Sequence, residues 1–140
     1  MIITPIPSHP NPSHLPITLY TESVAAGFPS PAEDHTDQAL DLNEHLIAKP
    51  AATFFARANG ESMKDLGIMD GDLLIIDRSL TPGQGDVVIA SVDGQLTIKI
   101  LDIKNRCLLA ANNEFPAIPL PDEADLVIEG VVIHAVHHLK

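Results

Sequence analysis

The stretch "DVVIASVDGQLTIKIL", residues 86–101, decides the fold. Two apolar, β-branched runs flank an Asp-Gly pair, and Asp-Gly supplies the two positive φ angles of a type I′ turn. The stretch therefore predicts a β-hairpin turning at Asp93–Gly94. Working outward, strand-like runs recur at 52–58, 72–77, 106–111 and 125–136, separated by turn signals such as "MDGD" and "TPGQGD". Many short strands at close intervals predict a mainly β domain, a curved and partly closed sheet or barrel. Ahead of them, "DQALDLNEHLIAK" spaces Leu40, Leu42, Leu46 and Ile47 as a short helix would. No internal repeat is visible.

The chain has 140 residues, one domain's worth, and 45% of them are hydrophobic. Residues 1–35 differ from the rest. Prolines at 5, 7, 10, 12 and 16 remove backbone donors and exclude a helix, so 1–35 is expected to be a flexible N-terminal arm and 36–140 the folded domain. The formal charge of −11 repels phosphate, and the eight Lys and Arg are scattered, so direct nucleic-acid binding is not expected. A single cysteine, Cys107, excludes an internal disulfide and reads as a small core residue in "CLLAA". No apolar run is long enough to span a bilayer, and the first basic residue is Lys49, so a cytoplasmic protein without membrane attachment is expected.

Two residues could carry chemistry. Ser62 in "ANGESMKDLG" follows a strand, at the start of a short helical turn. Ser62-Met63-Lys64-Asp65 fits a capping box, which gives the hydroxyl a purely structural use. The same place suits a nucleophile, because free first-turn amides can stabilise an oxyanion. Serine needs a base, and none of the seven histidines has an evident acid to orient it; "HAVHH" near the C-terminus also lacks the partners of a metal site. Lys99 is the better base. Alternation puts Leu96, Ile98 and Ile100 on one face and Thr97, Lys99 and Leu101 on the other. A solvated second face makes Lys99 an ordinary surface lysine; a covered one lowers its pKa and lets a neutral amine take the serine proton.

The segment "AAGFPSPAED", residues 25–34, is small, apolar and kept extended by Pro29 and Pro31. Together with "DLNEHLI", "ANGESM", "GDLLIIDRSL", "GDVVIASVDGQLTIK" and "GVVIHAV", it resembles the LexA/UmuD-type self-cleaving Ser–Lys proteases over nearly the whole chain. Ser62 and Lys99 stand 37 residues apart, as in that family. The resemblance implies Ser62 as nucleophile, Lys99 as general base, Ala26–Gly27 as the cut and the amides of Glu61 and Ser62 as oxyanion hole. It implies no cofactor and no metal. Cutting there removes 26 residues and leaves 114. Those 26 contain no Lys or Arg, so a DNA-binding domain ahead of the cut, as in the repressors of the family, is not expected. What the resemblance implies instead is an SOS-response mutagenesis protein of a bacterial cytoplasm. It would be a homodimer, activated by the RecA filament on single-stranded DNA. Its trimmed form would serve a UmuC-type Y-family polymerase in translesion synthesis. Ile100 departs from the family, which usually has a basic residue after its lysine. A non-catalytic β interaction module regulating a repair partner is the alternative; a signal-peptidase-like enzyme would need a membrane anchor.

Overall fold

The computed structural model describes residues 2–6, 14–20, 36–120 and 126–140. Its elements are β1 (Ile2–Ile6), β2 (Pro16–Tyr20), β3 (Thr36–Asp41), α1 (Leu42–Leu46), β4 (Thr53–Asn59), β5 (Leu73–Asp77), β6 (Val87–Val92), β7 (Gln95–Asp102), β8 (Cys107–Leu109), β9 (Ile118–Pro119) and β10 (Leu126–Val136). The expected mainly β, partly closed architecture is borne out. Eight strands form one antiparallel sheet in the order β1-β4-β5-β10-β6-β7-β8-β9, and it curls until β1 also meets β7 at Ile2↔Thr97. Contacts divide the chain into two units, residues 1–8 with 49–140 and residues 9–48. Among the described residues no helix is long and apolar enough to cross a membrane.

The 86–101 stretch forms the expected hairpin. Val92 pairs with Gln95, and Asp93 and Gly94 take φ of 50° and 79°. Both positive angles match the handedness of the flanking strands. The helix expected over 37–49 forms only at Leu42–Leu46, because the residues before it pair as β3 with β2. Asp41 ends that strand and starts the helix: its Oδ1 accepts the Asn43 amide at 2.9 Å and its Oδ2 the Leu15 amide at 2.9 Å. Strand pairing outweighs a weak local helix preference here.

The long strand β10 lies between β5 and β6 and bends at register shifts after Ile128 and after Val132. Gly130 sits at the first of these. A Cβ there would stand 2.6 Å from Cγ2 of Ile76 and 3.2 Å from the Asp77 carbonyl oxygen. Side chain and backbone would both have to move. Gly130→Ala is expected to lower stability by about 1–3 kcal/mol, read as a lower urea midpoint.

Carboxylates hold the turns. Asp102 at the end of β7 accepts from Gln84 Nε2 at 3.0 Å and Asn105 Nδ2 at 2.7 Å. Hydrogen bonds from Asn105 and then Gln84 hold its carboxyl below the usual range, and those from Ser79 do the same for Asp77. The folded chain therefore binds fewer protons than the unfolded one below the ordinary carboxylate pKa of about 4. Stability is complete above that pH and falls as pH descends through the folded values. Melting temperatures between pH 6 and 3 should decline, and Asp102→Asn should flatten part of that decline.

Candidate active site

Ser62 is fully buried, and the residue after it explains why. Met63 is also fully buried, packed in a cluster that includes Ile68 and Ile98. Its Sδ accepts the Ala111 amide at 3.4 Å, and its carbonyl accepts the amides of Leu66 at 3.1 Å and Ile68 at 3.3 Å. A fully buried methionine acts as a plug that draws the preceding serine beneath the surface. The chain reaches this point from β4 through Gly60, at φ 102°, whose amide donates to Asp70 Oδ1 at 2.8 Å. The helical turn expected at Ser62 begins instead at Lys64, as a 3-10 turn over Lys64–Leu66 with Met63 at its N-cap and no side-chain cap. The capping-box use of the serine is thereby excluded.

Lys99 answers the question left by its strand. It is only 5% exposed. Val88, fully buried, pairs with it across the hairpin, and Leu101, two residues on, is buried too, so the second face of β7 is covered as the first is. β7 meets β1 at Thr97 and β8 from Ile100 onward, so Lys99 stands where one neighbour ends and the next begins. There its Nζ donates to Ser62 Oγ at 3.4 Å. Burial pushes the Lys99 pKa below its ordinary value, since desolvation penalises the ammonium. The Phe115 ring lies 5.9 Å from Nζ. At the outer limit of cation–π range, that attraction is weak and opposes the effect of burial only slightly.

A second loop is stitched to the serine loop. Asp65 donates its amide to the Ala111 carbonyl at 2.8 Å, and Asn112 Nδ2 donates to the Glu61 carbonyl at 2.9 Å. The sequence gives little sign of this, because "ANNEFPA" reads only as a turn before a proline. Asn112 and Phe115 are the site residues that reading along the chain misses.

Ser62, Lys99 and Glu61 are thus brought to one place. Ala26 and Gly27 lie outside the described residues. Cys107 is half-buried; burial first, then the nearby Asp102 carboxylate, push its thiol pKa up, so it is no thiolate nucleophile. His14, Asp41 and Glu44 place ligand atoms within 4.8 Å of one another and could gather a cation. Both Asp41 oxygens already accept backbone amides, and its contact with His14 Nδ1 at 2.6 Å completes a lock joining β2, β3 and α1. His137 pairs with Asp72 at 3.5 Å.

Residues 18–133 match the Peptidase S24-like family. The chain belongs to this family. The S24-like peptidase resembles Protein SamA of Salmonella typhimurium strain LT2, 50% identical over 87% of this chain and 86% of SamA. It resembles Protein MucA of Escherichia coli, 42% identical over 85% of this chain and 83% of MucA. The LexA repressor of Vibrio atlanticus is 42% identical over 79% of this chain, but that match spans 54% of the repressor. The expected membership in the LexA/UmuD-type self-cleaving group is borne out, and with it the general character of a self-cleaving serine peptidase of the DNA-damage response.

Proposed function

We propose that this S24-like peptidase cuts its own chain between Ala26 and Gly27, with Ser62 as nucleophile and Lys99 as base. The observation that supports this most is a buried amine 3.4 Å from a buried hydroxyl. In the reaction the neutral Lys99 amine accepts the Ser62 proton as Oγ attacks the Ala26 carbonyl carbon. Contacts in a resting site are commonly loose and tighten with substrate in place. The amides of Glu61 and Ser62 hold the oxyanion, and neither donates to a backbone carbonyl among the described residues. Lys99, now an ammonium, returns the proton to the leaving Gly27 nitrogen. The Ala26–Gly27 bond breaks to leave an acyl-serine, which water hydrolyses, with Lys99 again taking the proton. Target and attacker share a chain or a dimer, so positioning supplies much of the rate. No cofactor or metal is required.

Residues 1–35 serve as the cleavable arm and 36–140 as the catalytic domain with a dimerisation surface. The relatives and the family resemblance support a bacterial, cytoplasmic, damage-induced setting. In it the RecA filament on single-stranded DNA promotes cutting, and the trimmed homodimer joins a UmuC-type Y-family polymerase for error-prone synthesis. Incubating the full chain at alkaline pH and weighing the products tests the chemistry. A 114-residue fragment beginning at Gly27, absent from Ser62→Ala, is expected. No fragment at any pH would favour the non-catalytic interaction module.

A further inference from the structure

Asn112 is 5% exposed and both ends of its amide are used. Nδ2 donates to the Glu61 carbonyl at 2.9 Å, and Oδ1 accepts the Glu114 amide at 3.0 Å. These two partners fix which end is which. The Glu61 carbonyl also accepts the Lys64 amide at 3.2 Å, so both of its lone pairs are occupied. That carbonyl shares one planar, trans peptide unit with the Ser62 N–H. Pinning the oxygen from two sides therefore aims the N–H in the opposite direction. The Asn112 carbonyl in turn accepts the Phe115 amide at 3.1 Å, closing the turn that carries the Phe115 ring to the Lys99 amine.

We infer that Asn112 is a positioning residue for the cleavage reaction, clamping the Glu61–Ser62 peptide so that the Ser62 amide points at the developing oxyanion. This rests on the Ser62–Lys99 reading above. Asn112 touches no reacting atom. Its contribution lies in keeping a donor aimed before charge develops, the condition under which such donors are effective. A core asparagine retained only for folding would need no partner on the peptide of the nucleophile.

Asn112→Ser in the full chain adds no charge; its hydroxyl can still accept from Glu114 yet is too short to reach Glu61. Asn112→Thr, with the same hydroxyl and more bulk, serves where the serine variant does not fold. Self-cleavage is followed across alkaline pH, beside labelling of Ser62 by a small fluorophosphonate. That probe forms a phosphorus–oxygen bond at Ser62 with loss of fluoride, and it places a negative oxygen where the oxyanion would sit, without the 25–34 segment. We expect the plateau rate and the labelling rate to fall together, about tenfold to hundredfold, with the pH midpoint unchanged, because Lys99 keeps its burial. The inference is overturned by unchanged rates. It is also overturned by loss of cleavage with labelling intact, which would place Asn112 in segment docking, or by a midpoint shift with a lowered melting temperature, which would make it structural. Wild-type chain that neither cuts nor labels, or Ser62→Ala that still cuts, would instead bring down the Ser62–Lys99 reading itself.

Discussion

Chains carrying Lys99→Arg or Lys99→Met are expected to fold and to stop cutting themselves, with a loss on the order of 10⁴-fold. The two substitutions fail for different reasons. Arginine stays protonated at any accessible pH and cannot accept the serine proton. Methionine is unbranched and fills similar space but has no basic nitrogen. The methionine variant also separates chemistry from folding. Burial holds the Lys99 pKa below its ordinary value of about 10.4, so between the two values the unfolded chain binds more protons than the folded one. The wild-type domain is therefore penalised at neutral pH, and its stability rises with pH through that window. Lys99→Met removes the penalty and should melt higher than wild type at pH 7 while producing no fragment. A methionine variant that cuts at the wild-type rate would leave the amine without a role.

The pH–rate profile is the second large effect. Only the neutral amine is a base, so the logarithm of the rate should climb with a slope near one, about tenfold per pH unit. It should level once Lys99 is deprotonated, at a midpoint below that of an ordinary lysine. The profile also separates two kinds of activation. A partner that shuts water out of the site would lower the midpoint and leave the plateau in place. One that docks the 25–34 segment would raise the rate by the same factor at every pH. A rate flat from neutral to alkaline pH would count against Lys99 as base.

Much of this was legible in the chain, for identifiable reasons. The hairpin is readable because Asp-Gly demands a particular turn, the strands at 73–77 and 126–136 because their β-branched runs follow Asp, and the strand at 53–59 because an aromatic pair lies between Pro50 and Gly60. Ser62 and Lys99 are candidates by residue type and position, and the resemblance to the Ser–Lys family is what pairs them. Alternation could not tell whether the Lys99 face was covered, because burial of β7 on both sides is set by the curl of the whole sheet. Local spacing extends the helix over 37–49 because the pairing of β3 with β2 is invisible to it. The need for glycine at 130 cannot be read locally, because it comes from Ile76 and Asp77 on another strand. Asn112 was hidden because its hydrogen bond spans 51 residues of chain, and nothing near it announces a partner.

The first strand carries a consequence for what happens after the cut. Ile2–Ile6 pairs along its whole length with β4 and touches β7 at Thr97, and Ile3 is buried in the core. All of it lies upstream of the proposed scissile bond. Breaking that bond would turn a tethered contact into one between separate molecules, and the high effective concentration supplied by the tether would vanish. The severed piece would then leave by unzipping from β4, at a rate the chemistry does not set. Its departure would uncover a row of backbone donors and acceptors ready for another extended chain. Dilution of the products would govern when the trimmed protein first shows that edge.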